Sequence, residues 1–350
     1  MGLASLSLTN LRSIAHAKLD FGPRLNLVFG SNGSGKTSIL EGAFLAGRGR
    51  SFRTRHTDQL ISRGQPGLTI FAETIDPAHR VGFEYRRNES YGARLDGRDV
   101  ESLAELPGAF FVEAIDPQIH RLVEGSPGER RRWLDWGVFH VEPSFLEQWL
   151  RFTRALRQRN AALKTNQDAR AWDAEVATYG ERIAQFRSDW FETLKPHVNE
   201  AIHYLSGMDV EAIYYRGWGG ERTLAQALGE GLERDRTRGA TLSGPQRADV
   251  FLKVGGRAAR ESLSRGQQKL VASAMVLALL AFLRERNVAP PTLLLDDPAA
   301  ELDTNRLGRL VDLVSELGSQ LIVTALNSDM LVFGKPEHVF HVEQGTVQRL

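Results

Sequence analysis

The stretch Arg24-Leu-Asn-Leu-Val-Phe29, Gly30-Ser31-Asn32-Gly33-Ser34-Gly35-Lys36-Thr37, Ser38-Ile-Leu-Glu-Gly-Ala-Phe-Leu-Ala-Gly47 decides how this chain is read. Its middle eight residues match the G-x-x-x-x-G-K-[ST] phosphate-loop pattern. An apolar, strand-like segment precedes them and a helix-like segment follows, which is the strand, loop, helix context that the pattern requires. Glycines let the backbone curl so that successive N–H groups converge on phosphate oxygens. Lys36 is expected to reach the β- and γ-phosphates, and the Thr37 hydroxyl to ligate magnesium. Gly30 through Ser38 therefore form the candidate nucleotide site, with ATP and Mg2+ as cofactors. A flexible glycine turn accounts for the loop alone but not for its flanks.

A phosphate loop works beside a metal-holding acid, and Thr292-Leu-Leu-Leu-Asp296-Asp297 is an apolar strand ending in two carboxylates. Asp296 is the metal candidate together with Thr37; Asp297 and Lys36 are the catalytic candidates. In other settings such an acidic pair caps a helix, but its pairing with a phosphate loop favours the metal reading. Two further stretches resemble motifs of the ABC and SMC ATPases. Asp303, closing Pro298-Ala-Ala-Glu-Leu-Asp303, resembles their D-loop, and Leu263-Ser264-Arg265-Gly266-Gln267-Gln268 resembles their signature, with Arg265 where many members have glycine. At the start of a helix, the Ser264 hydroxyl and the Gly266 N–H favour an anion such as a γ-phosphate. The plain alternative for such a stretch is a helix cap.

That resemblance implies an α/β fold: an ABC/SMC-type P-loop ATPase head with an inserted, mainly helical second lobe. It also implies that the signature, Ser264 to Gln267, completes the site of a second copy, giving a homodimer with two ATP molecules between its halves, with Asp303 of the D-loop also among the nucleotide-binding candidates. Two departures point to slow hydrolysis and a switch rather than a motor. Asp297 stands where ABC-type ATPases place a water-polarising glutamate, and Ala325, after Leu321-Ile-Val-Thr324, stands where transporters place a histidine. Gln118, after the strand-like run Phe110 to Ile115, is a candidate Q-loop glutamine, though a surface glutamine following proline fits equally well.

With 350 residues, 42% hydrophobic and 25% charged, the chain is long enough for two lobes with real cores. A net charge of +1 confines any nucleic-acid contact to local arginine clusters. Cysteine is absent, which excludes disulfides and thiolate metal sites and fits a cytoplasmic location. The opening residues lack a signal layout, and the longest apolar run, Val271 to Leu283, is shorter than a membrane span, so no membrane association is expected.

Strand-like runs at Leu6 to Leu11, Leu25 to Phe29, Leu68 to Glu73 and Val81 to Tyr85 make the N-terminal third strand-rich. Helical periodicity takes over with Trp149, Phe152, Leu156 and Leu163 on one stripe and Trp172, Val176, Tyr179, Ile183, Phe186 and Trp190 on another. The polar run 164–170 between them predicts an antiparallel hairpin, either a separate arm or two core-packing helices. Strands follow at Asp249 to Val254, Thr292 to Leu295 and Gln320 to Thr324. The predicted partition is 1–120 with 240–350 as the ATPase domain and 121–239 as an inserted helical arm.

Gly30 to Glu41, Gly125-Ser-Pro-Gly-Glu-Arg130-Arg131-Arg132-Trp-Leu-Asp135, Gly244-Pro-Gln-Arg-Ala-Asp-Val250, Ser264 to Leu270, Leu294 to Asp303 and the closing His341-Val-Glu-Gln-Gly345 together resemble the RecF family, nearly end to end. The resemblance implies a weak, DNA-stimulated ATPase of recombinational gap repair and replication restart. It would dimerise on ATP, bind duplex or gapped DNA, and help RecR and RecO load RecA. The segment Phe111-Val-Glu-Ala-Ile-Asp-Pro117 and Gln246, where histidine is expected, depart from the family pattern.

Candidate DNA contacts are Arg48, Arg50, Arg53 and Arg55 after the phosphate-loop helix and Arg130, Arg131 and Arg132 at the entry to the insertion. Glu129 and Asp135 could equally pair with that triplet as helix-surface neighbours. No run of interleaved aromatic and basic residues suggests a single-strand platform, so duplex phosphate contact is the expected mode. A transporter subunit shares the motifs but usually keeps the glutamate and histidine. A chromosome-tethering SMC protein needs far longer arms. The remaining alternative is another short-armed SMC-like ATPase, such as the sensor half of a defence nuclease.

Overall fold

The computed structural model describes residues 2–54, 56–89, 91–300, 302–328 and 332–350. In chain order the first stretch holds β1 (Gly2–Leu11), β2 (Ile14–Asp20), β3 (Leu25–Phe29), α1 (Lys36–Arg48), β4 (Gly67–Ile75), β5 (Arg80–Arg86), β6 (Gly92–Leu95), β7 (Arg98–Asp99), α2 (Leu106–Ala109) and β8 (Val112–Ile115). The middle holds α3 (Arg121–Glu124), α4 (Pro127–Val141), α5 (Phe145–Lys164), α6 (Asp173–Ser206), β9 (Glu211–Tyr215), α7 (Leu224–Arg238), β10 (Asp249–Val254), β11 (Arg257–Ala258), α8 (Ala259–Ser262) and α9 (Arg265–Glu285). The chain closes with β12 (Thr292–Leu295), α10 (Thr304–Glu316), β13 (Gln320–Ala325), β14 (His338–Glu343) and β15 (Thr346–Arg349).

These elements divide into two compact units, one of 1–119 with 289–350 and the other of 120–288. The first unit has two six-stranded sheets, ordered β2-β1-β4-β5-β6-β7 and β15-β14-β3-β13-β12-β8. The first is antiparallel. In the second, β14, β3, β13, β12 and β8 all run parallel. Helix α1 touches β1, β4, β8 and β13, strands of both sheets, and Ile39, Leu40, Ala43 and Phe44 join Leu6, Leu8, Val112, Leu294 and Ile322 in one core. A helix between two apolar sheet faces has no solvent side, which is why Ser38 to Gly47 carry no charge except Glu41 and are all buried. Each fully buried Leu or Ile here contributes ~1.5–3 kcal/mol.

In the second unit α5 and α6 pack as the predicted hairpin, joined across 165–172. They also serve as core: α6 lies along α9, with Trp190 tilted against Phe282 at 5.0 Å. Trp149, placed on the apolar stripe by its spacing, stays 38% exposed. Helix α9 is long and apolar enough to cross a membrane by length and composition, yet 78% of that window is buried within the fold; it is the unit's central helix. The sequence predicts 240–288 to belong to the ATPase domain. Here β10 pairs with β9 and β11 in a separate three-stranded sheet, and α9 packs on α6, so this segment sits in the second unit.

Candidate nucleotide site

Parallel strands bring their carboxyl ends to one edge of the sheet, and four such ends carry the candidate residues. The phosphate loop follows β3, Asp296 follows β12, Thr324 and Ala325 end β13, and Asp116 and Gln118 follow β8. This is where open α/β sheets place their ligands. In the loop, Gly33 has φ +78 with nothing within 4 Å of where its Cβ would stand, so glycine serves the backbone conformation there. At Gly30 a Cβ would run into the Val342 carbonyl. Gly345 N–H donates to the Ser34 carbonyl at 2.8 Å. The closing His341 to Gly345 phrase is thus a buttress for the loop, and His341 stacks on Phe29 at 4.9 Å.

Lys36 is buried and donates to the carbonyls of Gly30 at 2.6 Å and Ser31 at 3.0 Å. Burial lowers its pKa from the ordinary lysine value, opposed by the carboxylates of Asp297 and Asp296. The Thr37 hydroxyl lies 2.9 and 3.1 Å from the two Asp296 oxygens. Two hard oxygen donors side by side, one anionic, are what Mg2+ takes from protein, the remaining positions falling to phosphate and water. Thr324, which no sequence motif marks, joins the site: its hydroxyl donates to Asp296 at 2.8 Å and accepts the Asp297 N–H at 2.8 Å. Only the parallel pairing of β12 with β13 brings it there. Asp297 itself has φ +50, left-handed for a non-glycine residue.

Gln118 sits just beyond β8, whose Ile115 lies opposite Leu295; Asp296 N–H donates to the Ile115 carbonyl at 3.0 Å. The Gln118 side-chain oxygen is buried at this edge without a hydrogen-bond partner among the described residues. Asp303 caps α10, accepting Arg306 N–H at 2.9 Å. In the second unit Ser264 caps α9 through a capping box with Gln267. Ser264, Arg265 and Gly266 are exposed, and a Cβ at Gly266 would meet open space. The helix-cap reading is therefore realised in the free chain while the signature faces solvent.

The arginine clusters part ways. Arg48 is not available to phosphate: its side chain is buried, 2.7 Å from Glu113 and over the Phe44 ring, and burial pulls its pKa down to about 10 against the opposing pull of Glu113. Arg50 and Arg53 are exposed, Arg53 being 4.0 Å from Glu41. Arg55, and Glu301 of the D-loop run, lie outside the described residues. Arg130 is buried in a two-pronged pair with Asp249 at 2.8 and 3.1 Å, and donates to the carbonyls of Leu122, Val123 and Gly125. Arg131 donates to Ala248 O at 2.6 Å and Arg132 pairs with Glu129. Arg187 joins Asp135 to the Pro245 carbonyl. The triplet is thus mostly structural, and the two family segments 125–135 and 244–250 interlock.

A phosphate loop, a carboxylate pair and a glutamine at one edge of a parallel sheet, with a signature-like stretch exposed at the start of a helix in a second unit, define the ATPase head of the ABC and SMC class. The chain belongs to the RecF family. The model of the RecF/RecN/SMC N terminal domain matches residues 2–348. The DNA replication and repair protein RecF of Stutzerimonas stutzeri is 40% identical over 363 residues, covering 100% of this chain and 98% of its own length. That of Azotobacter vinelandii is 38% identical over 359 residues, covering 99% and 98%. The solved structure of the recombination mediator protein RecF with ATP, from the RecFOR pathway, superposes with a TM-score of 0.89 at 26% identity, covering 100% of this chain and 97% of that one. An Smc head bound to the C-winged helix domain of ScpA shares the fold, with a TM-score of 0.60 at 17% identity.

Proposed function

We propose that this protein is an ATP-gated DNA-binding switch of recombinational gap repair and replication restart. It would bind duplex or gapped DNA as an ATP-bound homodimer and help RecR and RecO load RecA. The observation that carries the reading is the convergence of Lys36, Thr37, Asp296 and Thr324 at one sheet edge, together with a signature that faces solvent in the other unit. The loop N–H groups and Lys36 hold the phosphates, and Lys36 gives up its carbonyl partners to do so. Thr37 and Asp296 hold Mg2+, which when bound neutralises phosphate charge. Asp297 accepts a proton from the attacking water; its shorter side chain makes turnover slow. Ser264, Arg265, Gly266, Gln267 and Asp303 of one copy face the γ-phosphate held by its partner.

The test is anisotropy of a labelled duplex with ATP, ADP or no nucleotide, with sedimentation of the same samples. Tight binding confined to ATP and to dimers is expected. Binding that ignores nucleotide, or no binding, removes the reading.

A further inference from the structure

From Gln148 to Gln167 the chain carries no aspartate or glutamate, yet it carries Arg151, Arg154, Arg157, Arg159 and Lys164. Over all 350 residues the two signs nearly balance, 44 Lys and Arg against 43 Asp and Glu, so this run is a local excess and not the general charge of the chain. Helix α5 holds all five cations and sorts them into two kinds. Arg159 is fully buried, 2.7 Å from Asp173 and 2.6 Å from Asp235, and Arg151 pairs with Glu147 at 2.7 Å and donates to the Tyr179 hydroxyl. Arg154, Arg157 and Lys164 are exposed and make no ion pair among the described residues.

The unpaired three share one line. Leu150, Arg154, Arg157, Ala161 and Lys164 follow one another at intervals of four and three, the repeat that aligns side chains along one helix face. All five are exposed, while Phe152, Ala155, Arg159, Ala162 and Leu163 are the buried residues of the same turns, on the opposite side. The carboxylates bonded to α5, those of Glu147, Asp173 and Asp235, are engaged by Arg151 and Arg159. At its far end the Lys164 stem lies 3.4 Å from where a Cβ of Gly239, the C-cap of α7, would stand, and Glu233 of α7 is engaged by Arg236. A solvated helix face ordinarily intersperses acids with bases, and like charges three residues apart repel. The stripe is therefore unfavourable in the free chain, and an anion laid along it relieves the repulsion. From Arg154 to Lys164 it extends roughly 15 Å, the axial length of about four phosphates of one duplex strand.

We infer that the exposed face of α5 is a contact for the phosphate backbone of duplex DNA, with Arg154, Arg157 and Lys164 each meeting a phosphate. A straight row of cations with no aromatic ring between them suits a stiff, regular polyanion and offers no stacking surface to unpaired bases. Contacts to phosphate alone position a duplex without reading its sequence. A second copy presenting the same face across a two-fold axis would set cation against cation. The inference rests on the reading that this chain binds DNA, and gives that contact a surface in the second unit.

The experiment uses the full chain with ATP and a labelled duplex over a series of salt concentrations. Arg154→Gln/Arg157→Gln/Lys164→Gln should weaken duplex binding at least ~10-fold and make log affinity against log salt shallower by about 2–3, since each neutralised phosphate contributes about 0.9 to that slope. The control Arg80→Gln/Arg86→Gln/Arg94→Gln removes equal charge from the first unit, at arginines paired with Glu73, Glu84 and Asp99, and should keep the slope of the parent. The ATP-induced thermal shift should be unaltered in both. Independently of charge, the chain has no cysteine, so Ala161→Cys takes a single thiol-attached iron chelate whose short-lived hydroxyl radicals should cut the bound duplex. An unaltered slope with no cutting from position 161 overturns the contact while leaving DNA binding intact. An equal change of slope in the control overturns it too, because net charge would then account for the loss. Loss of ATP-driven dimerisation in the α5 variant reassigns the face to subunit contact. If the unaltered protein binds no duplex with ATP, the functional reading fails first and the contact falls with it.

Discussion

The Thr324 hydroxyl donates to the Asp296 carboxylate at 2.8 Å while accepting the Asp297 amide at the same distance. One hydroxyl at the end of β13 therefore sets both the orientation of the Asp296 carboxylate and the position of the Asp297 peptide. Thr324→Val keeps the shape and removes the donor. A hydrogen bond to a charged group is worth ~1.5–3 kcal/mol, so turnover should fall about tenfold or more with ATP affinity little changed. Steady-state hydrolysis beside nucleotide titration checks this, and equal turnover in the two proteins sinks it.

Lys36→Met should abolish ATP binding without unfolding the apoprotein. The substitution gives up two hydrogen bonds to carbonyls but also removes a charge that burial disfavours. The melting temperature without nucleotide should shift by only a few degrees, on the order of 1 kcal/mol, and the ATP-induced rise should vanish. A persisting ATP-induced rise would contradict the role given to the ammonium group.

Gly345 has φ +81, and a Cβ there would run into the Ser13 carbonyl, so Gly345→Ala strains the turn that holds Ser34. The cost should be ~1–3 kcal/mol, with ATP affinity reduced alongside. Calorimetric titration of the folded variant separates the two effects; unaltered ATP affinity would show that the buttress does not shape the loop.

Ser264→Arg should bind ATP as the parent does yet fail to dimerise, because the substitution leaves the phosphate loop untouched and fills the exposed helix start. Asp297→Asn should retain ATP and accumulate the closed dimer. Sedimentation of both with ATP distinguishes them, and an ATP-bound dimer of the Ser264 variant would rule out a composite site.

Arg130→Ala leaves Asp249 buried without its counter-charge and should cost ~3–5 kcal/mol, read as a lower urea midpoint of the second unit. Arg132→Ala, at a half-exposed pair with Glu129, should cost less than about 1 kcal/mol. Similar losses from both would mean that burial does not govern the triplet.

The phosphate loop, the acidic strand and the signature were legible because each is a short run whose chemistry is local: glycines for backbone freedom, a carboxylate at a strand end, a serine that can cap a helix. The helical hairpin was legible from periodicity. The arginine clusters misled for the complementary reason. A guanidinium reads as surface charge in a linear sequence, and only burial against Glu113 or Asp249, both distant in the chain, turns Arg48 and Arg130 into structural groups.

By itself, then, the sequence determined that this protein carries a phosphate loop, a strand-borne acid pair and a signature helix, and through them its class and family. Tertiary structure alone decided that Thr324 steadies Asp296, that Gln118 reaches the same sheet edge, that 240–288 packs in the second unit, and that Arg154, Arg157 and Lys164 stay in solvent while Arg159 of the same helix is buried. Strand pairing joins residues far apart in sequence through backbone hydrogen bonds that carry no side-chain signature, so such neighbours become visible only when the register is known.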